Sequence, residues 1–234
     1  MTDLRMRLGA LVLASVLGTG CGLISSDVTS FNLDLPDKRF AIDTASWDVD
    51  PQMAKTALNT PCSSASQCMT IAQSACAMDC SGTCTAAMRC SINLDVGLHT
   101  SINLLMEKPE LQRINDRGVV EVTVDDVLYT IEENTLNVDT PEIGVFVAPS
   151  SVMDPGDSLA KRIGTISPVA AGDIVEARSM MFTPDGRNHL SAVMGNFKAP
   201  FNVIVGSTLT MTGSDPVPEG RLDAVIRIRA RAGI

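Results

Sequence analysis

The stretch INLDVGLHTSINL, residues 92–104, decides the fold, because apolar and polar side chains alternate along its whole length. Apolar residues dominate the even positions, while asparagine, aspartate, histidine and serine occupy most of the odd ones. In an extended chain successive side chains point to opposite faces, so this period of two predicts a β-strand with one buried face and one solvated face. A sheet with one solvated face is typical of antiparallel pairing.

The same alternation recurs on both sides of this strand. Further candidate strands are residues 31–35, 40–42, 120–131, 134–138, 143–148, 162–166, 173–181, 201–212 and 222–232. At Asp125 and Asp126 the apolar phase shifts by one position, which predicts a β-bulge. The connections between the candidates are too short for the crossovers that parallel strands need. We therefore predict a mainly β protein, an antiparallel β-sandwich of the immunoglobulin-like kind.

Three segments depart from the strand pattern. Apolar residues recur at helical spacing from Leu190 to Phe197, which predicts a short amphipathic helix over residues 187–194. Residues 109–114 are expected to form a turn or two of helix, because proline suits a first helical position. Residues 65–78 are rich in alanine, glutamine and methionine, a composition that favours helix.

Six cysteines lie close together near this third segment, in the pattern C-x5-C-x7-C-x3-C-x3-C-x5-C. They are Cys62, Cys68, Cys76, Cys80, Cys84 and Cys90. In an exported chain they are most simply three disulfides, although the spacing leaves all pairings open. A metal centre is the competing interpretation, since Cys76 and Cys80 would share a helix face, but the segment has no histidine and lacks the closer cysteine pairs of zinc sites. We predict a disulfide-rich, partly helical insert over residues 60–90.

The first twenty residues have the features of an export signal. Arg5 and Arg7 precede the apolar run 8–17, which small residues follow at 18–20. At a rise of about 1.5 Å per residue, this run spans roughly half of the hydrocarbon core of a bilayer. Residues 1–20 are therefore predicted to be a cleaved signal and not a transmembrane helix.

Cys21 follows directly, and LGTGC at residues 17–21 resembles the lipobox of bacterial lipoproteins, in which the cysteine is lipidated and becomes the mature N-terminus. The chain has seven cysteines, so lipidation of Cys21 leaves an even number for pairing. We predict a lipid-anchored tether over residues 21–27 and a sandwich domain over residues 28–234. Cleavage by an ordinary signal peptidase, followed by free secretion, is the alternative.

The composition excludes some functions, and the motifs support few others. A net charge of -9 and an aromatic content of 3% argue against nucleic-acid binding. No metalloprotease, phosphate-loop, dinucleotide or nucleophile-elbow motif is present. His99 and His189 are expected to be surface residues, and Asp43, Asp48 and Asp50 a solvated turn, because the pattern of a calcium loop is missing. The sequence thus predicts no catalytic residue, no metal ligand and no cofactor.

The last candidate strand carries Arg227, Arg229 and Arg231 on one face. Such a stripe could meet an anionic surface or partner. The favoured interpretation is that the charges protect an edge strand from pairing with another chain.

Several motifs together suggest a family. They are FNLDLP at 31–36, FAIDT at 40–44, NTLNVDTP at 134–141 and VFVAP at 145–149, beside the lipobox-like cysteine and the cysteine-rich insert. In this combination the chain resembles uncharacterised envelope lipoproteins of the myxobacterial kind. The resemblance implies a β-rich body anchored in a Gram-negative cell envelope, at the outer membrane. The shared motifs are structural, so no activity follows from them.

Two functional hypotheses follow. The first is a non-enzymatic envelope lipoprotein, attached to the membrane by its anchor. Its loops, or the disulfide-rich insert at residues 60–90, which we call the disulfide knob, would bind a protein or a glycan. The second is an envelope hydrolase or carbohydrate-active module that uses acidic residues brought together by folding. Two carboxyl groups roughly 5 to 10 Å apart in a cleft, one of them desolvated, would favour the enzyme. Scattered exposed carboxylates would favour the binding protein.

Overall fold

The computed structural model describes residues 30–76, 80–114 and 120–233. The predicted signal at residues 1–20 and the tether at 21–27, with Cys21, lie outside the described residues. Over the described part the chain is mainly β, with antiparallel sheets and three disulfides. None of the helices there is long and apolar enough to cross a membrane.

The chain alternates long strands with short helices. The strands are β1 (Ser30–Asn32), β2 (Lys38–Asp43), β3 (Cys80–Cys84), β4 (Cys90–Ile102), β5 (Glu121–Asn134), β6 (Ile143–Pro149), β7 (Lys161–Ile166), β8 (Val175–Ser179), β9 (Met181–Phe182), β10 (Phe201–Met211) and β11 (Arg221–Gly233). The helices are α1 (Pro51–Asn59), α2 (Ala65–Ala75), α3 (Leu104–Glu107) and α4 (Gly186–Gly195), with 3-10 turns at Thr44–Trp47 and Pro109–Ile114.

The strands form two sheets. In the first, β11 pairs with β5 on one side and with both β1 and β2 on the other, and β8 lies beyond β5. In the second, the order is β3-β4-β10-β6-β7-β9. Every pair of strands is antiparallel. The predicted antiparallel sandwich is confirmed.

The main hydrophobic core lies between the two sheets. Ile131 and Ile226 from the first sheet and Val145 and Val203 from the second are buried in one cluster. A second, smaller cluster lies where α1 and α2 cover the other end of β4, around Ile92. One face of β4 therefore contributes to both clusters, which explains why its alternation is the longest in the sequence.

The bulge predicted at Asp125 and Asp126 is confirmed. Asp126 pairs with Arg229 on β11, but the next pair joins Val124 to Ala230, so Asp125 is the extra residue. This insertion lets Val124 and Val127 both stay buried.

Three strand predictions need correction. The strand expected at 31–35 ends at Asn32, although the N–H groups of Leu33 and Leu35 still donate to β11. The strand expected at 134–138 is absent, because Asn134 ends β5 by accepting a hydrogen bond from the Leu136 N–H at 3.1 Å. The single strand expected at 173–181 is divided between the sheets. Its first part is β8 in the first sheet and its last part is β9 in the second, with Met180 buried between them.

The helix predictions are confirmed at 187–194 and, as a 3-10 turn, at 109–114. The helix expected over 65–78 ends at Ala75, so Cys76 and Cys80 do not share a helix face; residues 77–79 lie outside the described part. Helix α1 has no counterpart among the predictions. The sequence does carry a signal for the start of this helix, because Asp50 directly precedes a proline. In the structure Asp50 caps the helix by accepting hydrogen bonds from the backbone N–H groups of Gln52 and Met53.

The six cysteines form three disulfides, as predicted. Cys62 pairs with Cys84, Cys68 with Cys90 and Cys76 with Cys80. Two of these bridges tie the helix α2 and the loop before it to the sheet, and the third joins Cys76, directly after α2, to Cys80 at the start of β3.

The insert predicted at residues 60–90 is built into the sandwich. Its strand β3 is the edge strand of the second sheet and pairs with the first part of β4. At Gly82 a Cβ would overlap the carbonyl oxygen of Cys68, so the α2 backbone lies directly against β3 and only glycine fits there. The helical layer also begins earlier than predicted, at Pro51.

We expect the bridges to contribute unequally to stability. Replacing Cys68 and Cys90 by alanine opens a loop of sequence separation 22 and should lower the free energy of unfolding by about 3 kcal/mol. Replacing Cys76 and Cys80 opens a loop of separation 4 and should cost only about 2 kcal/mol. Urea denaturation of both double variants measures the difference.

The Cys62 and Cys84 double variant is the matched control, because its loop has the same separation of 22. It should lose about as much stability as the Cys68 and Cys90 variant. An equal loss for the Cys76 and Cys80 variant would show that loop entropy does not set the contribution of these bridges.

Candidate functional site

The two histidines lie on different elements. His99 is exposed on the outer face of β4, and His189 is exposed on α4. Both are surface residues, as the sequence predicts.

The acidic residues near Trp47 serve the local backbone. Asp43 accepts a hydrogen bond from the Ala45 N–H at 3.0 Å, and Asp50 caps α1. Asp48 ends the 3-10 turn with a φ of 52°, a conformation that aspartate tolerates better than most residues. The carboxylates of Asp43 and Asp50 are thus each bonded to the backbone that follows them.

Three sulfur atoms lie close together in the insert. The Sγ atoms of Cys62, Cys68 and Cys84 are within 4.8 Å of one another. All three belong to disulfides, and metal ligation requires a thiolate. In this oxidised state the cluster serves as a covalent cross-link.

The arginine stripe does not lie on an edge strand, so that interpretation is wrong. β11 is an interior strand, flanked by β5 on one side and by β1 and β2 on the other. Two arginines form ion pairs with neighbouring segments: Arg227 donates to both carboxylate oxygens of Asp37, and Arg231 donates to Asp125. These hydrogen bonds hold the pKa values of both carboxyl groups below their ordinary range.

The most distinctive surface is a groove on the outer face of the second sheet, about 820 Å³ in volume. Its floor contains three glycines on adjacent strands. Gly206 of β10 pairs with Gly97 of β4 on one side and with Gly144 of β6 on the other. We call these three residues the glycine row.

The loop of residues 150–160, between β6 and β7, folds over this face. It is fixed by Asn202, whose side-chain N–H groups donate to the backbone oxygens of Ser150 and Val152. Pro155 then lies over the glycine row. A Cβ at Gly206 would be 2.6 Å from the Pro155 ring, and a Cβ at Gly97 would be 2.9 Å from it.

Polar side chains line the groove around this contact. Asp95 of β4 accepts a hydrogen bond from the Thr208 hydroxyl across the strand pair, and Glu142 pairs with Arg162 at 2.6 Å. Asp154 accepts from the Gly156 N–H at 2.7 Å. The half-buried ring of Phe146 lies over Gly144 and supplies an apolar surface. The groove thus combines carboxylates, hydroxyls, one guanidinium, the phenyl ring of Phe146 and the imidazole of His99.

The carboxylates of the groove do not resemble an acid and base pair. Asp95, Glu142 and Asp154 are all exposed, and each is held by a local partner. A glycosidase needs one carboxyl group in a desolvated setting that keeps it protonated. In the groove all three carboxylates are exposed, so none of them has this setting.

No pattern in the sequence predicted the groove. Its three glycines are far apart in the chain, and only the strand register brings them together. A glycine within a strand pattern does indicate close approach of another segment, so each position carried a weak signal. Without the strand order, these signals could not be assigned to one site.

We expect Gly206→Ala to destabilise the protein by about 1 to 3 kcal/mol, because its methyl group would collide with the Pro155 ring. Pro155→Gly removes the ring and should recover most of that loss in the double variant. A double-mutant cycle by thermal denaturation measures this coupling. Additive effects of the two changes would show that Pro155 does not press on the glycine row in solution.

No protein-family model matches this chain, and no curated protein matches it either. Because a fold alone does not define an activity, the function has to be argued from the chemistry of the described surfaces.

Proposed function

We propose that this protein is a non-enzymatic lipoprotein of the cell envelope that binds a partner through its sandwich, with a neutral glycan in the groove as the favoured ligand. The observation that carries the proposal is the groove on the outer face of the second sheet, with its glycine floor and exposed polar lining. Its volume lies within the range of roughly 300 to 1,000 Å³ that is typical of ligand sites.

The floor of the groove favours a glycan over an extended peptide. A peptide that adds to a sheet needs an unpaired strand edge. At the glycine row, β10 and β6 have strand partners on both sides, whereas β3 pairs with β4 only along Cys90–Leu94. Over β10 and β6 a ligand must therefore be recognised by side chains, and carboxylates and hydroxyls suit the hydroxyl groups of a sugar.

The charge of the groove favours a neutral ligand. Asp95, Glu142 and Asp154 contribute three carboxylates, and Arg162 is already paired with Glu142. An anionic ligand would meet an excess of negative charge in the groove and on a chain of net charge -9.

The disulfide knob, residues 60–90 with α1 beside it, supplies a second contact surface. Met53, Met69 and Met88 are 52%, 38% and 56% exposed on it. Methionine adapts its shape to different partners, and such side chains are common on protein-binding surfaces. The three disulfides hold the backbone beneath them, which limits the ordering cost of binding.

Export and anchoring fit the same proposal. Three disulfides are typical of a protein that leaves the reducing cytosol. All six cysteines of the knob are paired, so Cys21 remains as the one cysteine that lipidation would use. Acyl chains on Cys21 would hold the protein at the membrane, with each buried methylene contributing about 0.8 kcal/mol.

We expect the native protein to have lost residues 1–20 and to carry acyl groups on Cys21. Intact mass spectrometry of the envelope fraction should show the mass of residues 21–234 plus the acyl groups, less six hydrogens for three disulfides. The Cys21→Ser variant should lack the acyl mass and leave the membrane fraction. An uncleaved cytosolic protein with free thiols would contradict both export and anchoring.

We expect tetramers of N-acetylglucosamine, a neutral glycan, to bind in the groove, and hyaluronan tetramers, which carry carboxylates, to bind more weakly. Asp95→Ala should weaken binding of the neutral tetramer about tenfold or more, because a charged hydrogen bond is lost. Isothermal titration calorimetry on the Cys21→Ser protein measures both affinities.

Asp173→Ala is the matched control, because Asp173 is exposed and does not line the groove. It should leave the affinity unchanged. Equal losses in the two variants, or no binding of either tetramer, would refute the glycan ligand. Cleavage of the tetramer during the titration would instead support the hydrolase alternative.

A further inference from the structure

A cavity of about 70 Å³ lies between the two sheets, beneath the inner face of the second sheet. Its walls are largely aliphatic and aromatic side chains, among them Phe40, Trp47, Val96, Leu98, Val205 and Ala224. The groove lies on the outer face of the same two strands, so the two sites are distinct.

The polar residues at the cavity are already hydrogen-bonded elsewhere. Asp139 accepts from the Ala171 N–H at 2.9 Å, and Thr140 accepts from the Val169 N–H at 2.9 Å. The Ser207 hydroxyl donates to the Glu142 carbonyl at 2.9 Å. A ligand would therefore find little hydrogen bonding in the walls and would have to be apolar where it is enclosed.

The charge at the rim selects among apolar ligands. Asp139 is an exposed carboxylate, and among the described residues that line the cavity there is no lysine or arginine. A ligand with an anionic headgroup would be repelled there, while an uncharged headgroup would not.

Trp47 lies at the rim of the cavity, on a segment that a hydrogen bond holds in place. It ends a 3-10 turn that is held to the loop before β11, where the Thr44 hydroxyl accepts from the Gly220 N–H at 2.9 Å. Trp47 is also the one tryptophan of the chain. Its fluorescence therefore reports on this cavity directly.

We propose that this cavity binds the end of a linear alkyl chain from an uncharged amphiphile. An apolar cavity of roughly 150 Å³ accepts benzene, so about half that volume accepts only the last few carbons of a chain. The remaining carbons would lie along the apolar rim formed by Ile42, Trp47 and Leu209.

The test is a series of n-alcohols from butanol to decanol, titrated into the Cys21→Ser protein while Trp47 fluorescence is recorded. Affinity should rise about fourfold for each added methylene, the factor that corresponds to about 0.8 kcal/mol per buried methylene. The gain for each methylene should become smaller once the cavity is filled, because later carbons contact only the apolar rim. Decanoate should bind more weakly than decanol, because its carboxylate would lie near Asp139.

Two variants separate the cavity from general surface binding. Ala224→Leu adds three carbons to the wall and should abolish the fluorescence response, whereas Ala41→Leu adds the same carbons to an exposed position of β2 and should not. Val138→Ala enlarges the cavity at a half-buried position and should move the limit to longer alcohols. This enlargement keeps the test decisive if Ala224→Leu fails to fold.

Three results would overturn the proposal. One is the absence of any alcohol response, and another is an equal response in the Ala224→Leu and Ala41→Leu proteins. The third concerns the lipidated wild-type protein without added alcohol. If its Trp47 emission already equals that of the Cys21→Ser protein saturated with alcohol, the protein's own acyl group is the occupant of the cavity.

Discussion

The antiparallel pairing of β4 with β10 is the constraint on which the rest of the structure depends. The two strands stay in unbroken register from the pair Ile102 and Phe201 to the pair Ile92 and Met211. The pleat of such a ladder sends alternate side chains to opposite faces without interruption. A slip by one residue would exchange the buried and solvated faces along the whole ladder and remove both cores at once.

This ladder also explains why the groove and the cavity lie on opposite faces of the second sheet. On its outer face the register aligns Gly97 with Gly206, which leaves room for Pro155 and shapes the groove. On its inner face Val96 and Val205 line the cavity where the cover changes from the first sheet to the helical layer. The groove can offer polar contacts because its face is solvated, whereas the cavity is apolar because its face is covered.

The helical layer shows why the disulfides are needed. The residues that α1 and α2 bury are mostly alanines, such as Ala54, Ala57, Ala72 and Ala75. Alanine allows close approach but removes little apolar surface from water, so this cluster contributes less hydrophobic stabilisation than the main core. Covalent bridges restrict the unfolded chain and compensate for the small core. A layer held in this way can keep methionines exposed without losing its shape.

The sequence by itself determined the strand content, the bulge at Asp125 and the oxidation of the six cysteines. These features follow from local period and from cysteine number, which need no knowledge of distant contacts. Only the tertiary structure decided the pairing of the cysteines, the interior position of β11 and the assembly of the glycine row. These depend on strand order and register, which are set by burial across the whole chain, and no local stretch of sequence encodes them.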